Sequence, residues 1–295
     1  MAEDDRFAFG ENWSRFLRLV DGRRIAEAEA SLKTLLRLET LQGMSFLDAG
    51  SGSGLFSLAA RNLGARVHSF DYDADSVACT TEMRRRYADG DQSWIVERGS
   101  LLDEEYLSSL GEFDVVYCWG VAHHTGEMRR ALHNLSERVA PGGRLAISLY
   151  NDEGGRSRAW TVVKRIYQRL PRPLRPVYAC GIWLWQTLRR AAVTTAASLF
   201  RIVTLRDPTV PWRNWLGEKP ERGMSPWHDL IDWVGGWPFE VAAPDDMFRF
   251  YRDRGFLLEE LKLCRGYGCN EYLFVRSGEA GSNAQSSAAP NELPV

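Results

Sequence analysis

The stretch MSFLDAGSGSGL, residues 44–55, decides the fold of this chain. Its first four residues are mostly apolar and suit a buried parallel strand. An acid, Asp48, comes next and is followed by a turn rich in glycine. The glycines stand at alternate positions: Gly50, Gly52 and Gly54. Such a turn between a first strand and a helix lets the backbone approach a ligand closely, because glycine has no Cβ.

Two kinds of ligand compete for this turn. A dinucleotide site needs G-x-G-x-x-G or A, but the sixth position counted from Gly50 is Leu55. The carboxylate of Asp48 would also repel a pyrophosphate. The spacing D-x-G-x-G-x-G instead resembles motif I of class I S-adenosylmethionine (SAM) methyltransferases. Their ligand carries a positively charged amino group and a sulfonium, so an acid at the turn attracts it.

A second acid lies at the end of the next predicted strand. Residues 66–70 read as that strand, and Asp71 follows them. An acid about 20 residues past the glycine turn can accept hydrogen bonds from both ribose hydroxyls. This serves any adenosine ligand, so only the pair Asp48 and Asp71 favours SAM. His68, inside the strand, is expected to be a packed core histidine.

The stretch FDVVYCWGVAHHTG, residues 113–126, resembles motif IV of the ubiquinone/menaquinone-biosynthesis type of small-molecule methyltransferase. In doubly wound sheets, ligands bind beyond the carboxyl ends of the strands. His123 and His124 are therefore expected near the transferred methyl group. Neutral imidazole suits the removal of a proton from an attacking hydroxyl. The alternative is that one or both histidines cap the next helix or shape the pocket.

The resemblance implies a set of cofactor-binding residues. The family often places an acid directly after the glycine that follows the third strand, but here Ser100 stands there and Asp103 lies three further on. We therefore expect Ser100 and the backbone at Leu101 to contact the adenine. The predicted set is Asp48, Gly50, Ser51, Gly52, Gly54, Asp71, Tyr72, Ser100, Leu101, Cys118, Trp119 and Gly120. No metal is predicted, because two adjacent histidines without a third ligand make no site.

Strands and helices alternate up to residue 150, which predicts a parallel sheet. Predicted helices cover residues 21–41 and 127–139, and a fifth strand covers 144–150. From the resemblance, two antiparallel strands close a doubly wound, mostly parallel seven-stranded α/β sheet. We predict N-terminal helices over 1–43, a SAM-binding domain over 44–155 and 240–276, a helical cap over 156–239 inserted after the fifth strand, and a disordered tail over 277–295.

The inserted segment is basic and rich in tryptophan. Residues 156–222 hold fourteen Lys/Arg against three Asp/Glu, and eight of the eleven tryptophans fall between Trp160 and Trp237. A basic helix rich in Trp and Leu can lie in a membrane interface. It can also pack its apolar side onto a core and leave arginines in water. Three uses stay open: a lid over a small substrate, a surface for lipid-linked substrates, or a partner that is an anionic macromolecule. The negative charge of the remaining chain disfavours nucleic acid.

A second tryptophan-rich stretch covers residues 224–242. It forms an aromatic-walled pocket if its side chains face inward, and otherwise a loop that pins the cap. His228, with Asp229 or Asp232, is a further candidate base.

Composition bounds the remaining classes. The 295 residues are 44% hydrophobic, enough for a full core, and the net charge of −2 gives no general argument for nucleic acid. Five scattered cysteines without a C-x-x-C pair suggest a reducing compartment. The acidic start lacks the apolar core of a signal peptide, and no run of about 18 apolar residues predicts a membrane span. The expected location is cytoplasmic, with peripheral membrane contact as an alternative.

The sequence predicts an enzyme that uses SAM, yields S-adenosylhomocysteine and methylates a hydroxyl of a small or quinol-like molecule. The base would be His123, His124 or His228. Alternatives are S-methylation of a small thiol, which needs less help from a base, and methylation of a lipid-linked or glycan substrate. A non-catalytic SAM-binding protein and a nicotinamide oxidoreductase are alternatives of other classes. The oligomeric state is left open.

Overall fold

A seven-stranded mixed sheet forms the frame of the molecule. The computed structural model describes residues 13, 17, 20–217, 233–264 and 268–278. The strands are β1 (Ser45–Ala49), β2 (Arg66–Asp71), β3 (Trp94–Arg98), β4 (Phe113–Trp119), β5 (Val139–Tyr150), β6 (Phe256–Lys262) and β7 (Cys269–Arg276). Their spatial order is β3-β2-β1-β4-β5-β7-β6, with β1 to β5 parallel and β7 antiparallel to both neighbours. The predicted fold class is confirmed.

Helices connect the strands. They are α1 (Gly22–Leu36), α2 (Leu55–Asn62), α3 (Ala74–Tyr87), α4 (Glu104–Ser109), α5 (Met128–Ser136), α6 (Gly155–Arg169), α7 (Arg175–Val203), α8 (Val210–Gly217) and α9 (Pro244–Arg252). Short 3-10 helices cover Ala122–His124 and Arg172–Leu174.

The strand order creates a crevice next to the first strand. From β1 the chain moves outward to β2 and β3, and then returns to place β4 on the other side of β1. The connections after β1 and β4 therefore diverge, and ligands of doubly wound sheets bind at this switch point.

The central strands are buried on both faces. Neighbouring residues of a strand point to opposite faces, so Phe46 packs with one layer of helices and Leu47 with the other. Both side chains are fully buried, as are Val115 and Val116 of the adjacent β4. These near-continuous apolar runs made the strands recognisable in the sequence.

Two predicted helices extended too far. The first ends at Leu36, because Arg37 adopts a left-handed conformation with φ 54°. The helix predicted to reach residue 139 ends at Ser136, and Val139 instead pairs with Phe113 at the start of β5. The register shifts directly after that pair, at Phe113/Val115, which accommodates the Pro-Gly-Gly turn inside β5. In the sequence, the apolar period of this helix continues to Val139, so the pattern does not mark the end of the helix at Ser136.

The chain divides into two compact units. The sheet unit lies within residues 8–154 and 238–295, and the helical unit includes residues 155–237. The segment predicted as a cap, 156–239, falls almost wholly in the helical unit; its role as a cap stays a prediction. None of the described helices is both long and apolar enough to cross a membrane.

A buried lysine organises the helical unit. Lys164 is fully buried, its Nζ donates to the carbonyl of Trp233, and the ammonium lies 4.6 Å from the centroid of that ring. Burial lowers the pKa of Lys164 to about 7. The ring of Trp160, one helical turn before the lysine, meets Trp233 edge-on at 5.5 Å. Trp233, predicted as a possible pocket wall, therefore packs inside this unit.

Candidate active site

The glycine turn is tied to the end of β2. The N–H groups of Gly50 and Ser51 both donate to the carbonyl of Phe70, at 2.8 and 3.1 Å. Gly54 has φ +77°, and a Cβ there would lie 2.9 Å from the Cα of Thr80. The hydroxyl of Thr80 is 2.9 Å from that of Ser51 and donates to the carbonyl of Gly52. The turn is therefore held by β2 on one side and by α3 on the other.

Asp48 lies beneath this turn at the end of a chain of buried hydrogen bonds. Its Oδ2 accepts from the Ser57 hydroxyl at 2.5 Å. Ser69 donates to Ser57 at 2.8 Å, and the indole N–H of Trp94 donates to Ser69 at 2.9 Å. Because an ionised carboxylate can only accept, Ser57 uses its one proton to bond Asp48, and Ser69 in turn donates to Ser57. The indole N–H can only donate, so every bond points toward the carboxylate. Three elements, β3, β2 and α2, thus aim one line of donors at Asp48.

Burial and hydrogen bonding act against each other on Asp48. Burial raises the pKa of Asp48 to about 7, the bond from Ser57 lowers it, and the nearby charge of Asp71 raises it. A cation bound at the turn would favour the ionised carboxylate.

Asp71 joins β2 to the glycine turn. Its Oδ2 accepts from the N–H of Gly52 and its Oδ1 from that of Asp73, both at 3.0 Å. Burial raises the pKa of Asp71 to about 6, although these backbone donors lower it. The next residue, Tyr72, is partly exposed, with the guanidinium of Arg98 5.6 Å from its ring centroid.

The nearby acid in the turn after β3, Asp103, caps a helix. The carboxylate of Asp103 accepts from the N–H of Tyr106 at 3.0 Å, so this acid caps α4. Ser100 accepts from the N–H of Leu102 at 3.2 Å. Leu101 is buried, and its carbonyl accepts from the side chain of Asn134 at 2.9 Å, a contact that no sequence pattern indicated.

His68 has a polar partner that the sequence did not predict. Its Nε2 lies 2.9 Å from Oε1 of Glu97, which also accepts from the hydroxyl of Tyr106 at 2.7 Å. Burial raises the pKa of Tyr106 and keeps it a donor. His68 is therefore packed inside the sheet, as expected, and also hydrogen-bonded to Glu97.

The end of β4 carries three of the predicted residues. Cys118 is buried, and burial raises the pKa of its thiol to about 12, so the thiol is neutral and a poor nucleophile. Trp119 stacks on Tyr117 with ring centroids 5.5 Å apart. The N–H of Gly120 donates to the carbonyl of Ser148 at 3.3 Å, which turns the chain away from the sheet.

The two adjacent histidines have different surroundings. The ring of His123 is buried, with its centroid 4.0 Å from that of Tyr150. Nδ1 of His124 lies 2.6 Å from the carbonyl oxygen of Pro238. A carbonyl only accepts, so Nδ1 carries a proton and the neutral ring has its lone pair on Nε2. That tautomer suits a general base.

Glu240 was missed by the sequence analysis. Both of its carboxylate oxygens accept from the N–H of Met128, at 3.2 and 3.0 Å, and its own N–H donates to the carbonyl of His123 at 3.0 Å. Burial raises the pKa of Glu240. Residues 238–240 therefore hold both histidines and the start of α5. The one available signal was α5 itself, which begins without a capping side chain next to it.

The predicted residues follow the ends of four neighbouring strands. One group surrounds the turn after β1 and includes Asp71 at the end of β2, a second group follows β4, and Ser100 and Leu101 lie after β3. The third candidate base, His228, and its partners Asp229 and Asp232 lie outside the described residues. Within the described ranges, no group of three or more His, Cys, Asp or Glu could hold a metal ion.

Gly54→Ala should destabilise the protein more than Gly43→Ala. Both glycines have φ +77°, but an added Cβ meets the Thr80 backbone only at Gly54. The left-handed conformation costs about 1–2 kcal/mol in each variant, and the overlap adds about 1–3 kcal/mol at Gly54. Urea unfolding measures both losses. Equal losses would show that α3 does not press on the turn.

Ser57→Ala should destabilise the protein more as the pH rises. Losing this donor raises the pKa of Asp48 further above about 7, so ionising the carboxylate in the folded state costs more. The raised pKa means that the folded state holds the extra proton, and the loss therefore grows between about pH 6 and pH 8. Urea unfolding across that range measures it. Ser136→Ala is the control, because this buried serine donates to the backbone carbonyl of His133 and its loss should not vary with pH in this way.

Comparison with known proteins agrees with this arrangement. Residues 21–226 match the family described as methyltransferase domain. The chain is 37% identical over 109 residues to a ribosomal protein L11 methyltransferase of Methylococcus capsulatus, over 37% of this chain and 34% of that protein. It is 30% identical over 142 residues to a mitochondrial ubiquinone biosynthesis O-methyltransferase of Schizosaccharomyces pombe, over 46% and 47% of the two chains. The matched part thus spans about a third to a half of these relatives.

Solved structures share the fold. A magnesium protoporphyrin IX methyltransferase from Synechocystis PCC 6803 with bound S-adenosylhomocysteine aligns with a TM-score of 0.52 and 17% identity, over 91% of this chain and 94% of that one. An O-methyltransferase family protein from Burkholderia thailandensis aligns with a TM-score of 0.50 and 13% identity, over 86% and 57%. With the family match covering most of the chain, this protein belongs to the family of SAM-dependent methyltransferase domains.

Proposed function

We propose that this protein transfers a methyl group from SAM to a small-molecule acceptor, and that the acceptor atom is a hydroxyl oxygen of a small or quinol-like molecule. The carrying observation is that β2, β1 and β4 lie side by side at the switch point. This sets Asp71 and the buried Asp48 near the ends of two neighbouring strands and a base-competent histidine after the third. The ubiquinone biosynthesis O-methyltransferases among the relatives support the acceptor class.

The residues around the glycine turn fit SAM. When bound, SAM supplies an electrophilic methyl group on a sulfonium cation. Burial raises the pKa values of Asp48 and Asp71. A bound cation would favour the ionised form of each carboxylate and would be attracted by it. The turn leaves no room for a side chain at Gly50, where a Cβ would lie 2.4 Å from Val121. This close packing fixes the turn against the segment that follows β4.

Asp71 would hold the ribose of the cofactor. Its two oxygens already accept from two backbone N–H groups, which fix the orientation of the carboxylate. Each oxygen has a second lone pair that can accept from a ribose hydroxyl. A preformed acceptor pair lowers the ordering cost of binding.

His124 is the better candidate for the base. The carbonyl of Pro238 fixes the proton on Nδ1, which leaves Nε2 to take the proton of an attacking hydroxyl. His123 is buried against Tyr150 and shapes the wall beside it. Much of the remaining acceleration comes from holding the acceptor in line with the methyl group.

A lipid-linked acceptor is the second candidate. The exposed apolar side chains of the basic helix α7 favour it, because an isolated small substrate gives no reason for that surface. Peripheral contact with a membrane is part of this candidate. A small thiol would need no base, and a non-catalytic member of the family would bind SAM without turnover. Membership in the methyltransferase family counts against a nicotinamide oxidoreductase.

Transfer is tested with methyl-labelled SAM and the purified protein, incubated with extract of its source cells and then separated into organic, aqueous small-molecule and macromolecular fractions. The proposal predicts label in one of the first two fractions, and label in the organic phase identifies a lipid-linked or quinol-like acceptor. Label with macromolecules alone would contradict a small acceptor. Bound SAM without transfer would support a non-catalytic protein.

Asp71→Asn should weaken SAM binding by about 1.5–3 kcal/mol, because charge-assisted bonds to the ribose become neutral ones. Titration calorimetry measures the change. Asp73→Asn is the matched control, since asparagine caps the start of α3 as well as aspartate does and should leave the affinity unchanged. Equal effects of the two variants would remove Asp71 from the cofactor site.

His124→Asn should lower kcat about 100- to 10,000-fold for a hydroxyl acceptor, as expected for loss of a general base. The asparagine amide can still donate to the carbonyl of Pro238, so the loop stays in place. SAM affinity should not change. His133→Asn, on the exposed side of α5, controls for loss of an imidazole. Unchanged kcat with a hydroxyl acceptor would exclude His124 as the base.

A further inference from the structure

The long helix α7 has its polarity inverted. In an ordinary surface helix the apolar stripe faces the core and the polar stripe faces water. In α7 the buried side chains are small or polar: Ala179, Thr194 and Ser198. Gln186 and Thr187 are partly covered. Tyr178 and Ile182 are also partly covered, but most of the large apolar side chains of α7 point outward.

Three of the outward leucines lie on one side of the helix and form a stripe. Leu184, Leu188 and Leu199 are 53%, 60% and 59% exposed. Spacings of four and eleven residues bring them to the same side of a helix with 3.6 residues per turn. Val177 and Val203 extend the stripe at both ends, and α7 is about 44 Å long at 1.5 Å per residue. The exposed ring of Trp185 stands next to the stripe, whereas Trp183 lies on another side of the helix.

The charge around this stripe is one-sided. Residues 156–217 contain twelve Lys/Arg and one acid, Asp207, which pairs with Arg213 at 2.6 Å. Lys164 is buried, but most of the arginines are exposed, among them Arg172 before the helix and Arg189 next to Leu188.

We propose that α7 docks the protein on an anionic lipid bilayer, lying in the interface with its leucine and valine stripe against the acyl chains. Large apolar side chains gain by leaving water, and arginines beside them can reach lipid phosphates. Tryptophan is favoured at the same depth, because its ring has an apolar body and a polar N–H. The apolar stripe then contacts the acyl chains, and the exposed arginines face headgroups of opposite charge.

Charge selects the bilayer over a second copy of this chain. Two copies joined through α7 would bring two strongly positive surfaces together, which opposes association. Anionic headgroups neutralise the same surface and add attraction for each arginine near it.

This inference deepens the lipid-linked candidate of the proposed function, but it can be tested without turnover. The full-length protein is mixed with vesicles of phosphatidylglycerol and phosphatidylcholine, and with vesicles of phosphatidylcholine alone. We expect sedimentation with the anionic vesicles only, reduced at high salt. Tryptophan fluorescence should be quenched by brominated lipid, because Trp185 enters the interface.

Paired variants test the surface. Leu184→Gln with Leu188→Gln keeps the helix propensity and should weaken vesicle binding about tenfold or more. Arg172→Gln with Arg189→Gln should weaken it and flatten the salt dependence. Leu257→Gln, an equally exposed leucine of the sheet unit, should have no effect. SAM affinity, measured by calorimetry, should stay unchanged in all of them, which separates a failure of docking from a failure of the methyltransferase assignment.

Several outcomes would overturn the inference. No binding to anionic vesicles at low salt would do so, and so would binding that the leucine variants leave intact. Concentration-dependent dimers that the same leucine variants dissociate would assign the stripe to a second copy of the chain.

Discussion

The buried carboxylate of Asp48 is the constraint on which the sheet unit depends. A carboxylate with almost no exposure is costly to ionise, and burial raises its pKa to about 7. Ser57 donates to it directly and is backed by Ser69 and Trp94, so three elements take part in this line of bonds. The line from Trp94 through two serines joins the edge strand β3 to the centre of the sheet. The positions of α2, β2 and β3 are therefore linked to the ionisation of one group beneath the glycine turn.

The two histidines after β4 depend on a segment that is distant in the sequence. Residues 238–240 come back from the helical unit into the sheet unit and bond to both histidines and to the start of α5. The carbonyl of Pro238 determines which nitrogen of His124 has the lone pair. A distant segment thus decides the chemistry of a motif that looks local in the sequence, because a histidine becomes a useful base only when its tautomer is fixed.

The helical unit and the sheet unit bury different kinds of side chain. The sheet unit buries its large apolar residues in two layers, whereas α7 buries small and polar residues and exposes large ones. Lys164, buried against Trp233, gives the helical unit a polar anchor of its own. The exposed apolar surface of α7 is more stable when another apolar surface covers it, so the fold of this helix indicates an apolar binding partner.

The sequence by itself determined the strands, the order of their motifs, the glycine turn and the family, because buried parallel strands and glycine spacing leave strong local patterns. It placed Asp71 at a strand end, where the structure has it. It could not reveal Glu240, Asn134 or the chain from Trp94 to Asp48, since each contact joins residues far apart in sequence. It also misjudged the end of α5. Val139 fits the apolar period of the helix, but it pairs with Phe113 in the sheet. Only the tertiary structure decided these points, because hydrogen bonds and burial depend on which distant groups meet.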